Sequence, residues 1–222
     1  MIIELRDVSL TVGSHDVLSN IQFGIQGAQQ VVILGKSSSG KTSLANVLAG
    51  IQRPSSGSIT IEMTRGQIGV VEQTPTFNEH LSAFDNVLLA AAARSLSKEH
   101  AMASTLEIFA DLGLSHKRST QVSHLSAWER TLVSIARAWV GDTTMLVIDQ
   151  AFDGHDEVSV RTTIDTLHRV NTTNRSIIVT TSQPSLSLLF PDASVYELRD
   201  GRLMNFSKLP SEVFTMVQGE QV

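Results

Sequence analysis

One stretch of eight residues has the composition and spacing of a phosphate-binding loop. Gly35 and the run Gly40–Thr42 match every constrained position of the pattern G-x-x-x-x-G-K-[ST]. Glycines allow tight turns that aim successive backbone N–H groups at phosphate oxygens, and a following helix adds the positive end of its dipole. Lys41 would reach the β- and γ-phosphates, and the Thr42 hydroxyl would ligate Mg²⁺. The predicted contacts of a nucleoside triphosphate are Gly35, Lys36, Ser37, Ser38, Ser39, Gly40, Lys41, Thr42 and Ser43.

The segments on either side of this loop are those that such a loop needs. Residues 30–34 are continuously apolar after the first and predict a buried strand that enters the loop. The apolar residues that follow recur at helical spacing: Leu44, Val47, Leu48 and Ile51. The alternative is a Gly/Ser-rich surface turn that fits the pattern by chance, and the order strand, loop, helix disfavours it.

Bulk composition limits the class of protein. The chain has 222 residues, enough for one sizeable core with an inserted subdomain. Its apolar runs are shorter than the roughly 20 residues that span a bilayer, and residues 1–6 lack the features of an export signal. Without cysteine, the chain fits a reducing compartment, so the cytoplasm is expected. A net charge of −5 argues against nucleic acid as a partner.

Hydropathy patterns predict where strands and helices lie. Apolar and polar residues alternate in residues 1–30 and 57–61, which predicts antiparallel strands. Residues 194–203 predict two short strands about an Asp-Gly turn. Residues 84–138 are rich in Ala and Leu and predict several inserted helices. Continuous apolar runs predict buried parallel strands at residues 68–71, 145–148 and 177–179.

A second sequence element, an apolar run that ends in an acid, is also typical of nucleotide binding. The apolar run Met145–Asp149 ends in an acid about a hundred residues after the phosphate loop, where P-loop ATPases place the aspartate that holds Mg²⁺. Many buried strands end at an Asp turn, so this feature alone would be weak. Together with the phosphate loop it predicts Asp149 as a metal residue.

The order of the motifs resembles the ATP-binding subunits of ABC transporters over nearly the whole chain. The phosphate loop matches the Walker A motif, Gln73 matches the Q-loop glutamine, and the run ending at Asp149 matches Walker B. Residues 135–138 continue as that family does after its signature, and residues 153–156 occupy the D-loop. The residues at the LSGGQ signature are Leu125, Ser126, Ala127, Trp128 and Glu129.

This resemblance implies a fold and a mode of action. The expected fold is α/β, a P-loop NTPase core with a RecA-like parallel sheet, an antiparallel β subdomain and an inserted helical subdomain. A single domain over 1–222 would divide into a core, 1–72 and 138–222, and a helical part, 73–137. The cofactors would be ATP and Mg²⁺, with Thr42, Gln73 and Asp149 at the metal. Family members form head-to-tail dimers in which each ATP meets the partner's signature, and they act on a membrane permease from the inner face of the membrane.

Two residues depart from the family at the catalytic positions. The glutamate that activates the attacking water is replaced by Gln150, whose carboxamide can bond a water but cannot accept its proton. The switch histidine is replaced by Thr181, which is short and neutral. With Gln73 and Asp149, these two residues form the predicted catalytic set, and slow hydrolysis is expected.

Two further departures affect contacts with the nucleotide. The signature glycines, which let backbone N–H groups approach the γ-phosphate, become Ala127 and Trp128. Trp128 either alters the fit across the dimer or simply packs within the helical insertion, and both interpretations stay open. At the position where the family has an aromatic residue that stacks on adenine, this chain has Val12. An aliphatic side chain can cover the base but cannot stack on it as an aromatic ring does.

The preferred interpretation is an ABC ATP-binding subunit with weak intrinsic turnover, paired with a more competent second subunit. A heterodimer is therefore favoured over a homodimer. The alternative from another class is a non-hydrolysing scaffold or regulatory protein for which ATP is a structural ligand. A small-molecule kinase is a poor third interpretation, because nothing in the sequence resembles an acceptor site or lid arginines.

Overall fold

The computed structural model describes residues 2–171 and 175–206, and the strands there form two sheets. The strands are β1 (Ile3–Val12), β2 (His15–Ile25), β3 (Gln30–Leu34), β4 (Ser56–Ile61), β5 (Ile68–Val71), β6 (Met145–Asp149), β7 (Ser176–Thr181), β8 (Ser194–Arg199) and β9 (Arg202–Phe206). The helices are α1 (Lys41–Leu48), α2 (Ala83–Ala93), α3 (Lys98–Asp111), α4 (Ala127–Trp139) and α5 (Glu157–Val170).

The smaller sheet has three antiparallel strands in the order β2-β1-β4. Strand β1 lies in the middle, so that Ile3 pairs with Ile25 on one side and with Ile61 on the other. Alternate side chains of β1 turn inward, as Ile3 and Leu5 do, because successive residues of a strand face opposite sides. The predicted antiparallel strands are confirmed.

The larger sheet has six strands in the order β5-β6-β7-β3-β8-β9, of which only β9 runs antiparallel to its neighbour. Every residue of β6 and β7 is buried, as expected for parallel strands covered on both faces. Strands β3, β6 and β7 end at one edge, where Leu34 pairs with Thr181 and Asp149 pairs with Thr180. This edge positions the candidate site, and the predicted fold class is confirmed.

Helices α2, α3 and α4 follow β5 and precede β6, as the sequence predicted for the insertion. They share a core that includes Val87, Phe109 and Ile135. The division of the chain at residues 73 and 138 stays a prediction. Over the part of the chain that the structure describes, no helix has the length and apolar character needed to cross a membrane.

One detail of the predicted helix after the loop is wrong. Helix α1 ends at Leu48, and Gly50 then adopts a φ of 68°, a left-handed conformation that suits glycine at the end of a helix. The chain turns away there, so Ile51 is 64% exposed and does not continue the apolar face. Leu44, Val47 and Leu48 are buried as predicted.

Candidate nucleotide-binding site

The loop between β3 and α1 requires glycine at two positions. A side chain at Gly35 would place its Cβ 2.5 Å from Ser39 Oγ and 2.8 Å from the carbonyl oxygen of Leu198. Gly40, the N-cap residue just before α1, has a φ of 96°, which disfavours any residue with a Cβ atom. The two glycines of the motif therefore allow the tight path of this loop.

Lys41 lies inside the loop and is only 3% exposed. Its ammonium group donates hydrogen bonds to the carbonyl oxygens of Gly35, at 2.7 Å, and of Lys36, at 2.8 Å. Burial lowers the pKa of Lys41, while the negative charges of Asp153 and Asp149 act to raise it. A buried cation bonded to neutral carbonyls is well placed to attract an anionic ligand.

Ser39 is a second sign that the loop suits a polar ligand. Its hydroxyl is buried and has no hydrogen-bond partner among the described residues. A buried unpaired hydroxyl costs free energy, on the order of 1–3 kcal/mol. A phosphate oxygen would accept a hydrogen bond from this hydroxyl, so the residues of the loop fit a bound phosphate chain.

A groove runs along the loop and has a volume of ≈ 610 Å³. Its lining comes from the loop at 36–39, the start of β2 at 15–17 and the β8–β9 turn at 197–201. Val12 is 49% exposed at the end of β1, directly opposite His15, which lines the groove. Sequence reasoning missed His15, because its place opposite Val12 depends on the pairing of β1 with β2. The role of Val12 at the base stays a prediction.

The predicted metal and catalytic residues lie at the edge where the parallel strands of the larger sheet end. Asp149 is buried, and the Thr180 hydroxyl donates to its Oδ1 at 2.5 Å. Gln150 follows with a φ of 52°, and its Nε2 lies 3.3 Å from the Thr42 hydroxyl and donates to it. Gln73 is exposed beyond the end of β5, which runs parallel to β6 and so ends at the same edge.

Thr181, at the position of the switch histidine, is buried and bonded to an acid. Its hydroxyl donates to Asp153 Oδ1 and accepts from the backbone N–H of Gln183 at 3.0 Å. Asp153 belongs to the predicted D-loop, but sequence reasoning gave it no role of its own. The sequence offered no signal for this contact, because 28 residues separate the partners.

The signature segment forms the start of α4. Ser126 caps the helix, since its hydroxyl accepts from the Glu129 N–H at 3.2 Å and the Glu129 carboxylate accepts from the Ser126 N–H at 2.8 Å. Lys117 forms an ion pair with Glu129 at 2.9 Å. The hydrogen bond from the Ser126 backbone is the main cause that lowers the pKa of Glu129. Leu125 is buried, while Ser126 and Ala127 are exposed.

Trp128 is half-buried, but its ring contacts lie outside the predicted helical insertion. The indole packs edge-to-face with the His155 ring, with centroids 4.8 Å apart, and its centroid lies 6.4 Å from that of Phe152. The Thr131 hydroxyl lies 3.2 Å from His155 Nε2. Trp128 thus joins the start of α4 to the D-loop of its own chain.

The donor set at the sheet edge fits Mg²⁺ that arrives with a nucleotide. Within residues 2–171 and 175–206, no cluster of three or more His, Asp or Glu side chains could hold a metal ion by itself. Mg²⁺ commonly takes one or two protein oxygens together with substrate phosphates and waters. The Asp149 carboxylate and the Thr42 hydroxyl supply such oxygens.

The glycine-rich loop, its buried lysine and the acid at the end of a neighbouring parallel strand define a P-loop nucleotide-binding domain. The family model for ABC transporters matches residues 18–153. The chain therefore belongs to the ABC transporter family. Domains of this family bind ATP, with Mg²⁺ as the usual partner ion.

Individual relatives agree with this assignment. The chain is 26% identical over 218 residues to the macrolide export ATP-binding/permease protein MacB of Campylobacter jejuni, a match that covers 92% of this chain and 34% of the relative. It is 31% identical over 148 residues to the taurine import ATP-binding protein TauB of Pseudomonas aeruginosa, covering 64% of this chain and 56% of that protein. The chain thus spans only part of these relatives.

A solved structure supports the fold. A dimeric ATP-binding cassette in a post-hydrolysis state, bound to ADP and Pi, superposes with a TM-score of 0.82. The match covers 93% of this chain and 98% of the other, at 22% identity.

Proposed function

We propose that this chain is the ATP-binding subunit of an ABC transporter, which binds Mg²⁺–ATP and dimerises to power or gate transport across a membrane. Its own hydrolysis is weak, and its partners are a membrane permease and a second, more active ATP-binding subunit. It acts at the cytoplasmic face of the membrane as a peripheral subunit. No direction of transport is proposed, because the similar proteins include one named for export and one named for import.

The observation that carries this proposal is the state of the phosphate loop. Lys41 is buried with its ammonium group on the backbone carbonyls of the loop, and the neighbouring Ser39 hydroxyl is buried without a partner among the described residues. Both groups gain stronger partners from a phosphate chain. The Thr42 hydroxyl and the Asp149 carboxylate lie at the same edge and supply oxygens for the accompanying ion.

The side-chain amide of Gln150 supports the proposal that hydrolysis is weak. Its amide nitrogen lies 3.3 Å from the Thr42 hydroxyl, so the side chain points toward the metal position. A carboxamide there can orient a water but cannot take its proton. Loss of a general base commonly costs about 10²–10⁴ in rate. ATP binding can persist under these conditions because Lys41 and the other groups that would hold the phosphates are all present.

Calorimetric titration of the purified chain with Mg²⁺–ATP tests the binding step. Lys41→Ala should abolish measurable binding, because it removes the buried cation from the loop. Lys98→Ala is the matched control, since Lys98 is exposed on α3 and away from the loop. A Lys41→Ala variant that binds ATP as tightly as the parent would show that the phosphate loop is wrongly assigned.

The partners are tested by mass spectrometry of what co-purifies with the chain from gently solubilised native membranes. A permease and a second ATP-binding subunit with glutamate at the position of Gln150 are expected. Recovery of the chain alone, or as a homodimer, contradicts the heterodimeric transporter and favours an ATP-dependent scaffold.

A further inference from the structure

Asp153 joins the D-loop to the last residue of β7 and to the residue that follows the strand. Its Oδ1 accepts a hydrogen bond from the Thr181 hydroxyl. Its Oδ2 accepts from the Ser182 backbone N–H at 2.9 Å and from the Ser182 hydroxyl at 2.6 Å. Both carboxylate oxygens are therefore held in place by neutral donors, so the position of this negative charge is well defined.

The same carboxylate lies close to the phosphate loop. The backbone N–H of Gly35 donates to the carbonyl oxygen of Thr181 at 3.1 Å, which joins the first residue of the loop to the residue that holds Asp153. Gly35 in turn binds the lysine of the loop, because its carbonyl oxygen accepts a hydrogen bond from the Lys41 ammonium group at 2.7 Å. Asp153 is thus a second fixed negative charge, besides Asp149, beside the start of the phosphate loop.

We propose that Asp153 determines how strongly the site prefers ATP over ADP, because its carboxylate opposes the negative charge of the γ-phosphate. This inference deepens the proposed function and rests on it. Asp149 differs from Asp153 in its role, since Asp149 contributes an oxygen to the metal position, whereas Asp153 is fully engaged by Thr181 and Ser182.

The sign of the effect follows from electrostatics. Like charges repel, and a partly buried pair is screened less by water and salt than a pair on the surface. ATP carries more negative charge than ADP, and the extra charge lies on the terminal phosphate. The carboxylate of Asp153 therefore penalises ATP more than ADP, and its removal should raise the affinity for ATP selectively.

The test is calorimetric titration of the full chain with Mg²⁺–ADP and with the Mg²⁺ complex of the non-hydrolysable β,γ-imido analogue of ATP. Asp153→Asn should raise the ratio of triphosphate affinity to ADP affinity by about 3- to 30-fold. Asp153→Glu retains the charge and should leave the ratio within about twofold of the parent. Asp165→Asn is the matched control, because it removes one negative charge from an exposed position on α5.

A merely structural role of Asp153 predicts different results. Ser182→Ala removes one anchoring hydroxyl but keeps the charge, so the affinity ratio should stay near that of the parent. If Ser182→Ala reproduces the shift seen with Asp153→Asn, anchoring and not charge sets the ratio, and the inference is overturned. A ratio that is unchanged or lower in Asp153→Asn overturns it as well.

Two controls separate this inference from the proposed function. Thermal unfolding checks that each variant is folded, and Asp153→Ser is a second neutral variant that should raise the ratio in the same direction if Asp153→Asn does not fold. Failure of the parent chain to bind either nucleotide would refute the proposed function itself. If the parent binds both nucleotides and Asp153→Asn leaves the ratio of triphosphate affinity to ADP affinity unchanged, only the role of Asp153 is refuted.

Discussion

Replacement of Gln150 by glutamate tests directly how much activity the missing base accounts for. Gln150 Nε2 donates to the Thr42 hydroxyl at 3.3 Å, and a glutamate of equal length could accept from that hydroxyl instead. The backbone N–H of residue 150 donates to the Thr180 carbonyl at 3.0 Å, and the substitution leaves this bond intact. The new carboxylate should therefore occupy the place of the amide without a change in the loop.

The expected gain in turnover is about tenfold, which corresponds to about 1.4 kcal/mol of barrier. A well-placed general base contributes about 10²–10⁴, or roughly 3–5 kcal/mol. The full amount is not expected, because Thr181 lacks an imidazole and its hydroxyl is already committed to Asp153. In the proposed dimer, Trp128 would also replace a glycine of the signature that meets the partner's nucleotide.

The assay is steady-state phosphate release at saturating Mg²⁺–ATP by the purified chain. Gln150→Ala is the control for loss of the amide contact and should show no gain. Adding Thr181→His to Gln150→Glu should raise turnover further than Gln150→Glu alone. A recovery of a hundredfold or more from Gln150→Glu by itself, roughly the whole contribution of a base, would refute the view that the other departures limit the rate.

Two further predictions concern the start of α4. Trp128→Gly should destabilise the chain by about 2–4 kcal/mol in urea unfolding, because it removes the ring packed on His155 and adds a flexible residue; an unchanged midpoint would contradict this packing role. Glu129→Gln should cost about 1 kcal/mol near neutral pH, since it weakens the capping box at Ser126 and the ion pair with Lys117. The pKa of Glu129 lies below its ordinary value of 4.5, so this stabilisation is present above that value and is lost as pH falls through the lower folded-state pKa. Unfolding of parent and variant should therefore differ near neutral pH and converge in strong acid, and a constant difference would contradict the linkage.

Most of the fold was predictable from the sequence because strand burial leaves a clear pattern. Continuous apolar runs marked β6 and β7, whose residues are all buried, and alternation marked β1. Ile51 was mispredicted because the apolar spacing carries past Gly50, whose left-handed backbone ends the helical region. The backbone conformation of Gly50 makes Ile51 exposed, and the spacing of apolar residues carries no information about that conformation.

The candidate site was predictable only where a motif fixes the chemistry. Lys41, Thr42 and Asp149 follow from local patterns, because the phosphate loop and the acid after a buried strand are short sequence features. Asp153 and His15 became visible only in the structure, since their positions depend on strand pairing and on contacts between distant segments. Sequence spacing specifies which groups are available, whereas the register of β6, β7 and β3 specifies which of them meet.

The placement of the departures bears on the choice of partner. Gln150 and Thr181 lie at the chain's own phosphate loop, whereas Trp128 lies at the start of α4, on the segment that a head-to-tail dimer presents to the other subunit's nucleotide. A homodimer would combine both kinds of departure in each of its sites. A heterodimer with a partner that has the glutamate and the signature glycines would separate them, so that one site has the weak catalytic residues and the other has only the altered signature. The second site retains its own base and would carry the turnover, which is the physical reason for proposing an asymmetric pair.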